Sequence, residues 1–185
     1  MRKIVVSMFM TLDGVMEAPN QWSFQFGSAE QQKYKYDELF ACDALLLGRI
    51  TYEGFAAAWP NMSGTGDYGV RMNSIPKYVV STTLQEATWN NSIIIRSNVY
   101  DELSRLKQQT GLDILIFGSG TLVNSLMQYD LIDEYRLMVF PVVVGSGKRL
   151  FQDRSEKKSL KLIETKTFSS GVVVLSYKPD KNETK

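Results

Sequence analysis

Apolar residues in this chain gather into short unbroken runs that alternate with segments of helical spacing. Ile4-Val5-Val6, Ala44-Leu45-Leu46-Leu47, Tyr78-Val79-Val80, Ile93-Ile94-Ile95 and Ile114-Leu115-Ile116-Phe117 are each bounded by charges or turn residues. Runs of this kind suit strands buried on both faces of a sheet covered by helices. The first, extending to Met10, reads as a central strand and ends at the Asp13-Gly14 turn. Ser28 opens a helix with the capping-box spacing Ser28-Ala-Glu-Gln31, and Tyr36, Leu39 and Phe40 continue its apolar side. Arg49 or Thr51 starts a second helix carrying Tyr52, Phe55 and Ala56, which Trp59-Pro60 stops. Tyr100, Leu103 and Leu106 mark a third that ends at Gly111, and Leu122, Val123, Leu126 and Met127 a fourth. Residues 61–69, rich in Gly, Ser, Asn and Asp, are expected to form a mobile surface loop.

The pattern changes after residue 132. Asp133 to Pro141 reads as a longer strand, and Leu160–Phe168 and Val172–Tyr177 pair as an antiparallel hairpin across Ser169-Ser170-Gly171. The expected fold is therefore α/β, a three-layer α-β-α arrangement with a mostly parallel sheet of about eight strands and a C-terminal antiparallel hairpin. No repeat or linker interrupts it, so residues 1–179 form one domain and the polar 180–185 a frayed tail.

Composition narrows the chemistry. The chain has 185 residues, 44% apolar and 22% charged, with a net charge of +1. Scattered Lys and Arg among acids give no electrostatic reason to expect nucleic acid. The N-terminal apolar run is too short for a signal peptide, and nothing approaches the ~18 apolar residues of a membrane span. A cytoplasmic protein is expected. One cysteine, Cys42, excludes an internal disulfide, and no Cys cluster exists for zinc. Histidine is absent, which removes Ser-His and Cys-His catalysis and the usual transition-metal ligands.

Three strand ends then share a property. Gly48-Arg49-Ile-Thr51-Tyr52, Ser81-Thr82-Thr83 and Gly118-Ser119-Gly120-Thr121 each follow an apolar strand with small or hydroxyl residues. In α/β sheets ligands bind beyond the carboxyl ends of strands, and hydroxyls, backbone amides and an arginine there suit a phosphate. Each turn taken singly serves equally as a helix cap. The last is not a G-x-G-x-x-G fingerprint, since Val123 stands where the third glycine belongs.

Taken in order, these segments resemble the dihydrofolate-reductase-like superfamily, specifically the reductase domain of the bacterial riboflavin deaminase–reductase. Thr11-Leu-Asp13-Gly14, Leu46-Leu-Gly48-Arg49-Ile-Thr51-Tyr52-Glu53, Tyr78-Val-Val-Ser81-Thr82-Thr83, Phe117-Gly118-Ser119-Gly120-Thr121-Leu122 and Phe140-Pro141-Val-Val-Val-Gly145-Ser-Gly147-Lys-Arg-Leu-Phe151 carry the likeness. The resemblance implies NADPH as cofactor. It places Gly48, Arg49 and Thr51, with Tyr52 beside them, at the phosphates. Ser81 and Thr82 fall at the adenosine 2′-phosphate with Arg96 as helper, and Gly118, Ser119, Gly120, Thr121 and Leu122 at the pyrophosphate. The residues agree in one respect: Ser81-Thr82-Thr83 lacks the carboxylate that selects NAD.

On the substrate side, Asp13 is the leading polar residue for catalysis, although Asp-Gly is also a common turn pair. Trp22, within an irregular loop over residues 17–27, together with Pro141 and Gly145, is assigned to the substrate pocket. Dihydrofolate reductases carry a pteridine-binding carboxylate at the start of the helix after the tryptophan. Here that region reads Ser23-Phe-Gln-Phe-Gly-Ser-Ala-Glu30-Gln-Gln, and Glu30 fits only with a shifted alignment. The reading is an NADPH-dependent reductase of a small heterocycle, pterin-like or pyrimidine-like, and a homodimer by resemblance. A non-catalytic NADP-binding or interaction module on the same fold is the alternative.

Overall fold

The apolar runs become the interior of one eight-stranded sheet in a computed structural model, which describes residues 1–151 and 157–180. The strands are β1 (Ile4–Thr11), β2 (Cys42–Gly48), β3 (Lys77–Val80), β4 (Ser92–Ile95), β5 (Asp113–Phe117), β6 (Glu134–Phe140), β7 (Leu160–Thr167) and β8 (Val173–Pro179). Their spatial order is β4-β3-β2-β5-β1-β6-β8-β7. The first six run parallel, β8 returns antiparallel to β6, and β7 closes the antiparallel hairpin as an edge strand. β1 lies between β5 and β6, the central place its continuous apolar run requires.

Among the described residues five α-helices cover the sheet: α1 (Ala29–Phe40), α2 (Arg49–Ala58), α3 (Gly66–Ser74), α4 (Val99–Gln108) and α5 (Gly120–Gln128). Alternation along β1 shows how the layers divide. Ile4, Val6 and Met8 pack with Leu103 and Leu106 of α4 and Leu122, Val123 and Leu126 of α5. Val5 points the other way, into a cluster with Leu39 of α1, Tyr52 of α2 and Met72 of α3. A third cluster, Trp22, Phe140, Phe168, Val172 and Val174, holds the 17–27 loop against β6 and the hairpin.

Ser28 caps α1 as the sequence predicts, its Oγ accepting from the Gln31 amide at 3.1 Å. The reciprocal arm of the box is missing, because the Gln31 side-chain oxygen is buried without a partner. The predicted 61–69 loop is shorter than expected, since α3 begins within it at Gly66. Three glycines in 64–69 mask a helix that is fixed by tertiary burial of Met72 and by Ile75 just beyond it. In the expected tail, residues 181–185 lie outside the described residues.

Candidate cofactor and substrate site

Because β3, β2, β5 and β1 are parallel neighbours, their carboxyl ends fall along one edge of the sheet, and the predicted turns meet there. Gly48 ends β2 and serves as the N-cap of α2 with no side-chain cap. Ser119 does the same for α5, in a left-handed conformation at φ +62°. A Cβ on Gly48 would overlap the Ser119 hydroxyl, and one on Gly118 would stand 3.3 Å from the Thr51 side chain. The two helix starts are thus in contact, each presenting first-turn amides and the positive end of its dipole to the same edge. Lys148 reaches the same place, its Nζ donating to Thr121 Oγ1 at 2.8 Å. Two helix starts and a cation give this edge the chemistry of a pyrophosphate cradle.

Arg49 is exposed and ion-paired to Glu53 at 3.0 Å along α2. Tyr52 points inward: its ring is buried and its hydroxyl accepts from the Trp89 amide at 2.9 Å. That turns Tyr52 into a support for the turn from below, because no part of its ring reaches the outer surface. Leu122 is likewise core, leaving its backbone amide as the group the edge can use. The Ser81 hydroxyl is buried and accepts from the Thr83 and Leu84 amides, closing a turn, whereas Thr82 is exposed. Arg96, on the neighbouring β4 end, donates to the Leu84 and Gln85 carbonyls at 2.7 and 2.8 Å. It is bound to the Ser81–Gln85 turn, so an exposed threonine and a guanidinium share one rim.

On the other side of β1, Asp13 has a different occupation from the catalytic one expected. Its carboxylate accepts from Thr11 Oγ1 at 2.6 Å, from the Gly145 amide at 2.9 Å and from the Val144 amide at 3.3 Å. These donors, the Thr11 hydroxyl first, hold the carboxyl below the usual range of an aspartate. The bonds from the Val144 and Gly145 amides tie Asp13 to the 141–149 loop as a clamp. Arg149 completes the clamp by donating to the Asp13 carbonyl at 2.9 Å. Gly145, at φ +79°, makes the turn that aims its amide at Asp13. Pro141 lies exposed at the mouth of the same loop. Trp22, assigned to the pocket, is only 7% exposed; its ring packs edge-on against Phe140 and its indole donates to the Glu17 carbonyl. It belongs to the third cluster.

A polar seam that the apolar pattern did not reveal crosses this region. Phe117, Ser7 and Arg136 are register partners on β5, β1 and β6, so they share the sheet face that α1 covers. Ser7 Oγ donates to Glu38 at 2.7 Å and receives Lys35 Nζ at 2.7 Å, both from α1. Lys35 also pairs with Glu38, while Arg136 pairs with Glu134 at 2.7 Å and approaches Glu38 at 3.5 Å. Burial presses the Lys35 ammonium below its ordinary range, and Glu38 opposes that. The signal available in sequence was Ser7, a lone polar residue inside an otherwise apolar strand. Glu30, the displaced carboxylate, faces elsewhere, accepting from the Ser169 amide and hydroxyl at 2.9 and 2.7 Å. Among the described residues no three acidic, Cys or His side chains group as a metal site, and no helix is long and apolar enough to cross a membrane.

Residues 2–174 match the RibD C-terminal domain family. The chain belongs to that family. Two Bacillus subtilis (strain 168) relatives, both uncharacterized, are similar along nearly their whole length. YyaP is 33% identical, covering 95% of this chain and 94% of its own, and YwjB is 30% identical, covering 92% and 95%. Solved structures share the fold. A Shewanella sp. PV-4 protein named for riboflavin biosynthesis has a TM-score of 0.78 at 20% identity, covering 98% of this chain and all of its own. The Thermotoga maritima deaminase/5-amino-6-(5-phosphoribosylamino)uracil reductase has 0.68 at 14%, covering 97% of this chain and 57% of that one. Enterococcus faecalis dihydrofolate reductase, complexed with NADP(H), has 0.64 at 13%, covering 97% of each. The RibD C-terminal domain family therefore sits here on a dihydrofolate-reductase-like fold.

Proposed function

We propose that this RibD C-terminal domain protein is an NADPH-dependent reductase that transfers hydride to a small heterocycle. The observation that carries the reading is the contact of two uncapped helix starts across Gly48 and Ser119, with Lys148 beside them. Family membership and the shared fold support it. Bound NADPH supplies hydride from its nicotinamide, which asks of the protein mainly placement and exclusion of water. The first-turn amides of α2 and α5 and the Lys148 ammonium are suited to hold the pyrophosphate, and Thr82 with Arg96 the 2′-phosphate. The Asp13–Gly145 clamp fixes the 141–149 loop that brings Lys148 to Thr121.

Fluorescence titration tests this. NADPH should bind at least tenfold more tightly than NADH, and Arg96→Ala should erase most of that preference by removing a charged partner of the 2′-phosphate. Absence of NADPH binding to the folded protein would overturn the reading. The second reading, a non-catalytic NADP-binding module, is favoured by one observation: the carboxylate expected to handle a proton, Asp13, is committed to loop amides. Sustained NADPH consumption with any member of a pterin and pyrimidine panel separates the two. We also take the protein to be a homodimer, for which the free edge of β7 offers a surface.

A further inference from the structure

Residues 81–91 join β3 to β4 and carry the exposed Thr82. Among the described residues no backbone-to-backbone hydrogen bond involves residues 82–88. Side chains hold the segment instead, at two pins. At its start the Thr83 and Leu84 amides donate to Ser81 Oγ, and the Arg96 guanidinium donates to the Leu84 and Gln85 carbonyls. At its far end the Trp89 amide donates to the Tyr52 hydroxyl at 2.9 Å, and the Trp89 indole donates to Asn73 Oδ1 at 2.8 Å. Lys77 Nζ adds a bond to the Asn90 carbonyl at 3.0 Å and lies 4.1 Å from the Trp89 ring. Between the pins, Leu84 and Ala87 pack against the cluster that contains Tyr52 and Trp89.

Tyr52 is where this segment meets the other half of the candidate cofactor edge. It stands in the first turn of α2, four residues after Gly48, on the helix whose opening amides face the cradle. Its ring is 2% exposed and that of Trp89 5%. Packing alone would be met by a phenylalanine at this position. The hydroxyl adds an acceptor for the buried Trp89 amide, and a buried N–H left without one is costly. Loss of that bond would release the far pin and lengthen the stretch free to move. The Leu84 and Gln85 carbonyls that fix Arg96 belong to that stretch, so the guanidinium would lose its place beside Thr82.

We infer that Tyr52 sets the preference of this site for a 2′-phosphate, by holding the 82–89 segment so that Thr82 and Arg96 share one rim. Tyr52 is a positioning residue, buried beneath the turn and acting through Trp89; Asn73 supports the same pin through the indole. The assignment rests on the reductase reading for its cofactor. It adds that discrimination between NADPH and NADH is built from the α2 side, whereas the first-turn amides and Lys148 treat the two nucleotides alike.

Fluorescence titration of the full chain with NADPH and with NADH, arranged as a double-mutant cycle, tests this. Tyr52→Phe should lower the NADPH/NADH affinity ratio about fivefold or more, as expected for one buried amide deprived of its acceptor. In an Arg96→Ala background the same substitution should move the ratio less than about twofold, because the group it positions is gone. Trp89→Phe keeps the amide and removes the indole bond to Asn73. It should move the ratio in the same direction by a smaller factor, and it carries the test where Tyr52→Phe does not fold. Equal loss of both nucleotides in Tyr52→Phe, or the same drop in ratio with and without Arg96, would reduce Tyr52 to a support of α2 and overturn the assignment. A wild type that prefers NADPH and keeps its ratio in both variants overturns this assignment alone. A wild type that binds neither nucleotide, or both alike, overturns the cofactor reading and this one with it.

Discussion

A methyl group added at Gly48 would run into the Ser119 hydroxyl, because the ends of β2 and β5 are held at strand-pairing distance while both chains turn into helices. The backbone at Gly48 is ordinary, with φ −83°, so the requirement for glycine is close approach and not conformation. Ser119 is the opposite case, a non-glycine residue at φ +62°. These two facts give a thermodynamic cycle. Gly48→Ala should destabilise the fold by about 1–3 kcal/mol, the usual range for overpacking. Ser119→Gly should be close to neutral, since relief of backbone strain offsets the added chain entropy. Combined, the two should recover about 1 kcal/mol or more of the Gly48→Ala loss, because the glycine removes the atoms in the way. Urea denaturation of the four proteins measures this, and simple additivity of the two single changes would show that the turns are not in contact.

At the scale of elements, strands were legible and one helix was not, for physical reasons that particular residues illustrate. Ile114–Phe117 and Ile4–Met8 announce central strands because both faces of a covered sheet are apolar. Gly66–Ser74 hides its helix because helix propensity is poor there, and only the packing of Met72 and Ile75 reveals it. The turn residues of the candidate cofactor edge were readable because small and hydroxyl residues stand out directly after apolar strands. The Lys35–Glu38 seam was not, because a lysine and a glutamate three residues apart on a helix look like a solvated face until β1 places Ser7 beneath them. Glu30 shows how one carboxylate couples elements. It sits in the first turn of α1 and accepts two hydrogen bonds from Ser169 in the β7–β8 turn, which hold its carboxyl below the ordinary 4.5. A carboxyl with a depressed folded value supports the contact above its ordinary pKa and loses it as pH falls through the lower folded value. The Ser169 amide should therefore exchange faster, relative to neighbouring hairpin amides, as pH falls below 4.5. In Glu30→Gln that relative rate should be flat across the same window. A pH-independent Ser169 amide in the wild type would remove Glu30 from the hairpin contact.

For the molecule as a whole, the sheet has two distinct ends. The candidate cofactor edge lies at the carboxyl ends of β3, β2, β5 and β1, while β8 and β7 extend the sheet past β6 away from it. Among the described residues β7 is an edge strand, exposed along nearly its whole length, with Leu162 and Ile163 at 48% and 51% exposure and no strand paired on the side away from β8. Such an edge invites pairing with another strand unless it is blunted, and here a register shift between Leu162 and Glu164 and the charges of Lys161 and Lys166 blunt it only partly. A second copy meeting β7 would cover the apolar pair and complete the ladder in a symmetric contact. Light scattering during size exclusion should then give twice the 21.0 kDa chain mass. Ile163→Lys should convert the protein to a monomer that retains NADPH affinity, because the substituted edge is separated from Gly48 and Gly118 by β1, β6 and β8. A wild-type monomer, or a dimer indifferent to a charge at 163, would place the contact elsewhere and leave β7 as an edge protected by its own lysines and bulge.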